Sequence, residues 1–267
     1  MARPVWLALV KWYSATICPR PFCLEKPLDL YTDRELEHVV LRWQKSRHCW
    51  ALSQYKNMPI ERRFVTPEKA RNCVHLVEGG RWLLVGTKSG SVLYYDLNAS
   101  SIEPSILIPT PFDEETAFDE DEETEILLSV DMDLEAEYLK FNLGIMTRRM
   151  PHTDPDPSQP PRYFRWIQVW RVDSDVDRNG NVKGLLAERL ACFPEEHVNR
   201  CDSIRLRGQH VAYSIVTKYE FSDMRDGPCI IIVDWTLRSS FSLDYPRRVV
   251  WRMIAEVGST LSFLSSG

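Results

Sequence analysis

The hydrophobic positions of this chain change their period once. Near the start, Val5, Trp6, Leu9, Val10 and Tyr13 share one face of a 3.6-residue helix. Pro4 suits the first turn of that helix. Pro19, Pro21 and Pro27 then break the chain into an extended connector. Thr32-Asp33-Arg34-Glu35 is a capping-box pattern, in which the threonine oxygen accepts a first-turn amide and the glutamate reaches back. Leu36, Val39, Val40 and Trp43 follow at helical spacing, so residues 1–48 are predicted to hold two short helices. From about Trp50 the pattern turns to β. Val74–Val77, Trp82–Val85 and Val92–Leu97 are short apolar runs separated by Glu78-Gly79-Gly80 and Lys88-Ser89-Gly90. Gly80 and Gly90 fit tight turns because glycine takes positive φ without a steric cost.

Two further units of the same kind follow. One spans Ile126 to Val172 and contains ILLSVDMD, EYLKFNLGIM and WIQVWRV, with Trp170 at the position of Tyr95. The other runs from Ser203 to Trp235, with Asp234 matching Asp96. A fourth is expected to begin near Val249-Val250-Trp251, and no closing strand is evident at Leu264–Gly267. Asp113–Glu125, Pro151–Pro161 and Tyr219–Pro228 are acidic, proline-rich or polar and read as surface loops. The intervals Asp96 to Arg171 and Arg171 to Asp234 are 75 and 63 residues, longer than a propeller blade of ~40–45. The loops supply the excess.

The run Gly79-Gly80-Arg81-Trp82-Leu83-Leu84-Val85-Gly86, closed by Tyr95-Asp96 where Trp-Asp is usual, resembles one blade of a WD-repeat β-propeller. Together with Val5–Val10, Ser14–Pro21, Ile108–Asp113 and Val211–Ser214, it resembles the fungal F-box proteins that carry a WD-like propeller. The resemblance implies a mainly β fold, a partial or incomplete propeller of about three to four blades over 49–267. Two short N-terminal helices over 1–48 would be an F-box remnant and connector. Gly80, Trp82, Gly86, Gly90, Tyr95, Asp96, Trp170, Asp234 and Trp235 would be blade-signature residues of structural importance. Val5, Trp6, Leu9 and Val10 would face a Skp-type adaptor of a cullin ubiquitin ligase. The propeller would hold an unknown target protein. On this resemblance, residues 1–48 would supply no more than the last helix of a full three-helix F-box, which is a departure from the family.

Composition changes this picture little. The chain has 267 residues, 44% apolar, enough for a substantial core. Its net charge is −5, but Asp113–Glu125 holds nine acidic residues, and taking these away leaves +4. No dense Lys/Arg run accompanies that balance, which argues against nucleic acid as a partner. Seven cysteines are scattered without a C-x-x-C pair, so reduced thiols and a cytoplasmic or nuclear location are expected. No apolar run approaches the ~18 residues that span a bilayer, so no membrane partner is expected. Val5–Val10 is too short for a signal-peptide core, and the sequon Asn98-Ala99-Ser100 matters only in a secreted chain.

Candidate chemistry is sparse. Asp175-Val176-Asp177-Arg178-Asn179-Gly180 matches the first half of an EF-hand loop, but the twelfth position is Leu186 rather than a bidentate glutamate. A hairpin with an Asn-Gly turn explains it better. Gly86–Ser91 lacks the glycine-lysine order of a phosphate loop, and Pro157–Pro160 is an isolated P-x-x-P. Neither a G-x-S-x-G elbow nor an H-E-x-x-H is present. No catalytic residue, cofactor or metal is therefore assigned. The leading reading is a non-catalytic protein-interaction module resembling a ubiquitin-ligase substrate receptor. The alternative is a propeller scaffold with no ligase link. A small-molecule binder or hydrolase would need convergent polar groups in a central pocket.

Overall fold

A computed structural model describes residues 3–16, 24–52, 73–110, 124–149, 165–195, 200–216, 229–237, 248–254 and 262–266. The fold is mainly β, with three antiparallel sheets behind two N-terminal helices. Helix α1 is Arg3–Thr16 and α2 is Asp33–Leu52. The predicted capping box forms: the Glu35 amide donates to Thr32 Oγ1 at 3.3 Å, and the Thr32 amide donates to Glu35 Oε2 at 2.7 Å. With 20 residues, α2 is not short, and it carries Trp50 and the boundary at residue 48 inside a helix. The expected change to β at Trp50 is thus corrected.

Each sheet is an up-and-down meander. The first is β1 (Val74–Leu76), β2 (Trp82–Gly86), β3 (Val92–Asp96) and β4 (Pro104–Ile108). Its turns fall where the glycines stand, with φ of 72° at Gly80 and 83° at Gly90. The second is β5 (Thr124–Met132), β6 (Lys140–Arg149), β7 (Arg165–Val176) and β8 (Val182–Glu195). The third is β9 (Arg200–Arg207), β10 (His210–Val216), β11 (Cys229–Asp234), β12 (Arg248–Ile254) and β13 (Ser262–Ser266).

Several expectations change here. Val249-Val250-Trp251 lies in β12, the fourth strand of the third sheet, and does not begin a fourth unit. Leu264 and its neighbours form β13, a fifth strand at the edge of the third sheet that pairs with β12 and closes no ring among the described residues. The acidic run is not loop to its end: Glu125 sits in β5 and pairs with Arg148 at 3.5 Å. Residues 113–123, 151–161 and 219–228 lie outside the described residues. Among the described residues no barrel closes and no propeller ring is complete.

The three sheets stack with the second in the middle. Along β6 the side chains alternate, as a strand requires. Phe141, Leu143 and Ile145 face Leu84, Val92 and Ile108 of the first sheet. Met146 faces Ile204, Val211 and Tyr213 of the third. Both faces of the middle sheet are covered, and each carries apolar residues packed on a neighbouring sheet. Strand β1 lies beside β5, and β5 beside β9, so the first strands of all three sheets run together. Polar bonds reinforce the second pairing: the Leu206 amide donates to Ser129 Oγ at 2.9 Å, and the Gly208 amide to Asp131 Oδ2 at 2.6 Å.

Candidate protein-interaction site

The described chemistry collects at one end of the sheets, where the hairpin turns and the helices meet. Each third strand ends on the same device. An aspartate accepts the amide two residues further on, closing the turn with its own side chain. The pairs are Asp96 with Asn98 (2.8 Å), Asp177 with Asn179 (2.8 Å) and Asp234 with Thr236 (2.9 Å). A second bond repeats in the first and third sheets. The Leu97 amide donates to Arg81 O at 2.7 Å, and the Trp235 amide to Gln209 O at 3.1 Å.

This repeat corrects one assignment. Trp170 lies in the middle of β7, where its indole N–H donates to Gln168 Oε1 at 2.8 Å. The counterpart of Asp96 and Asp234 in the second sheet is Asp177, at the end of the strand. The pattern Asp-x-Asn directly after an apolar strand was the signal. The hairpin reading of Asp175–Gly180 stands, because Asp177 spends its side chain on the Asn179 and Asn181 amides and on the Asn181 side chain. Those bonds hold its carboxyl below the usual range, the Asn181 amide contributing most. Among the described residues no cluster of His, Cys, Asp and Glu is arranged to hold a metal.

The remaining signature residues are structural. Trp82 is 1% exposed, with Tyr94 edge-on at 5.6 Å and the Arg81 guanidinium 4.5 Å from its ring centre. Tyr95 is fully buried. Gly86 is pressed between the first and second sheets, where a Cβ would collide with Ile126 Cγ2 and lie 3.1 Å from Cys73 Cβ. Trp235 closes the third sheet by donating its indole N–H to Gly208 O at 3.0 Å.

The helices form a clasp over the turns of the first two sheets. Their core is their own: Trp6, Val10, Tyr31, Leu36 and Val40 are buried together. Trp6 and Val10 therefore point inward at 6% and 2% exposure, which corrects their reading as adaptor-facing. An amphipathic helix buries its apolar stripe on the nearest partner, and here that partner is α2. Val5, at 43%, remains outward, and Leu9 is half-buried.

Polar groups tie this unit to the sheets. Arg81 bonds Asp96 through Nε at 3.0 Å and Nη2 at 2.7 Å, and also pairs with Glu25. Lys26 Nζ donates to Glu35 Oε1 and to Gly180 O, each at 2.8 Å. The Leu139 amide donates to Leu24 O, and Arg42 to Asn98 Oδ1 at 3.3 Å. Burial raises the Glu25 carboxyl above its ordinary range, with Arg81 opposing. Burial also acts on Asp96, but the Arg81 bonds and the Asn98 amide outweigh it and hold that carboxyl low. Around these groups lies a cavity of about 810 Å³, lined by His38, Trp43 and Asn181 among others. Two of its cations, Lys26 and Arg81, are held in ion pairs with Glu35 and Glu25.

The membrane question has a limited answer: among the described residues no helix is long and apolar enough to cross a bilayer. Comparison with known proteins finds no family model, no curated protein and no solved structure that matches this chain.

Proposed function

We propose that this chain is a non-catalytic protein-interaction module built as an arc of propeller-like blades. What carries the reading is the threefold recurrence of one unit. Each sheet is a meander whose third strand ends on an aspartate-closed turn, and the first strands run side by side. Such arrays expose clustered turns on a rigid scaffold, which is how blade proteins hold partners. The helical clasp stiffens the turn end of two blades. Affinity purification of the tagged full chain, followed by identification of stoichiometric partners, tests this. A chain that recovers no partner while turning over a small molecule contradicts it.

A second reading, the substrate receptor of a cullin-type ubiquitin ligase, is favoured by the outer face of α1. Val5 is 43% exposed there and Trp12 57%. A Skp-type adaptor would contact these side chains and not Trp6 or Val10. Purified adaptor should bind the chain and lose at least tenfold in affinity to Trp12→Ala. Absence of binding by the wild-type chain removes the ligase reading and leaves the scaffold.

A further inference from the structure

On the other side of α1 lies a groove of about 910 Å³ between that helix and the β5–β6 hairpin. Its lining includes Leu7 and Val10 of α1, Leu24 and Leu28 of the connector, and Met132 at the end of β5. Leu134, beyond Met132, stands 48% exposed at the mouth. The rim is acidic: Asp29, Glu78, Asp133, Glu135 and Glu137 all border the cavity.

The cations at this rim are mostly engaged. Arg3 donates to Tyr31 O and Asp29 O and pairs with Asp33 at 3.7 Å. Lys140 pairs with Asp173 at 3.5 Å. Asp133 is turned to the amides of Glu135 and Ala136. Among the described residues Glu78, Glu135 and Glu137 have no ion-pair partner, and Lys11 is the one cation of the lining left unengaged. The groove thus offers an apolar floor beneath uncompensated carboxylates.

We propose that this groove docks a basic amphipathic helix of a partner protein. Apolar side chains of the partner lie on Leu7, Leu28 and Met132, and its Lys or Arg groups meet Glu78, Glu135 and Glu137. This is the helix-in-groove mode, where spaced apolar anchors give affinity and complementary charge gives orientation and rate. A cavity of this size admits several side chains. The inference does not depend on adaptor binding, because it uses the opposite face of α1 from Val5 and Trp12.

The test is fluorescence anisotropy of the full chain with a labelled amphipathic Leu/Lys helical peptide. Two sister peptides serve as probes, one with each Leu replaced by Ser and one with each Lys replaced by Glu. The Leu/Lys peptide is expected to bind, and both sister peptides to bind at least tenfold more weakly. Glu135→Lys with Glu137→Lys, and separately Leu134→Ser, should weaken the Leu/Lys peptide about tenfold and threefold. All three positions are exposed, so these variants keep the fold. Glu103→Lys, an exposed acid in the β3–β4 connection that does not line the groove, should change nothing. The proposal is overturned if the Leu/Lys peptide does not bind, if the Ser peptide binds as well, or if Glu103→Lys weakens binding as much as the rim variants.

Discussion

The sheets and the helices are joined to the molecule by different physics. Between sheets, side chains interlock in two shared apolar cores, with Phe141 in one and Phe193 in the other at 0% and 1% exposure. The helices bury Leu36 and Val40 among themselves and reach the sheets through Arg81, Lys26, Arg42 and the backbone bond from Leu139 to Leu24. Apolar burial is not screened by salt, whereas partly exposed ion pairs are. The sheets therefore form one cooperative body, and the helical clasp is a unit that can loosen without unfolding them.

The largest expected effect is at the sheet cores. Phe141→Ala should cost about 3–5 kcal/mol by urea denaturation, since the middle sheet packs around that ring and closes poorly over the cavity. Phe193→Ala should cost a similar amount and unfold both cores in one transition. Two separated transitions would break the idea of a single body. Next comes Gly86→Ala, at about 1–3 kcal/mol, because Ile126 and Cys73 leave no room for a methyl. Gly144→Ala, at the other sheet interface, should cost less, since a Cβ there meets Leu206 Cβ at 3.2 Å and a small shift relieves it.

The ion pairs should rank by burial. Arg81→Met leaves Glu25 and Asp96 facing each other without their cation, at side-chain exposures of 18% and 26%. A loss of about 1–3 kcal/mol is expected, below that of a fully buried pair. Arg207→Met removes an arginine 83% exposed from Asp131 and should cost about 0.5 kcal/mol or less. Equal costs at the two sites would undo the ranking.

The smallest effect is a titration. His75 on β1 is held below its ordinary 6.5 by burial, then by Arg205 on β9, with Glu78 opposing. Its neutral form is favoured on folding. Stability is therefore full above about 6.5 and falls as the pH drops through that value toward the folded pKa. His75→Asn should flatten the stability profile as the pH falls below about 6.5. Arg205→Gln should raise the His75 pKa, read by NMR, because the first strands of the first and third sheets run close together. An unchanged pKa would separate them.

What the sequence made legible follows from how local each feature is. The turns at Gly80 and Gly90 and the capping box at Thr32 depend on neighbours in the chain, and all appear as read. Strand β8 was missed because it is an edge: Leu186, Glu188 and Arg189 are exposed on it, so its apolar signal is diluted. Asp177 was hidden behind the more conspicuous Trp170-Arg171 dipeptide. The inward turn of Trp6 and Val10 was beyond reach, since a helical stripe shows that a face is buried and not what buries it. The clasp joins residues as distant as Lys26 and Gly180, and no local pattern reports such a pairing.

Hydrogen–deuterium exchange across the whole chain, in wild type and Arg81→Met, tests the division between clasp and sheets most directly. Amides of α1 and α2 should exchange faster in the variant, and in wild type at high salt, while those of β2, β6, β7 and β10 keep their protection. Equal loss of protection in helices and strands would show that the helices are not clipped on but belong to the same cooperative core.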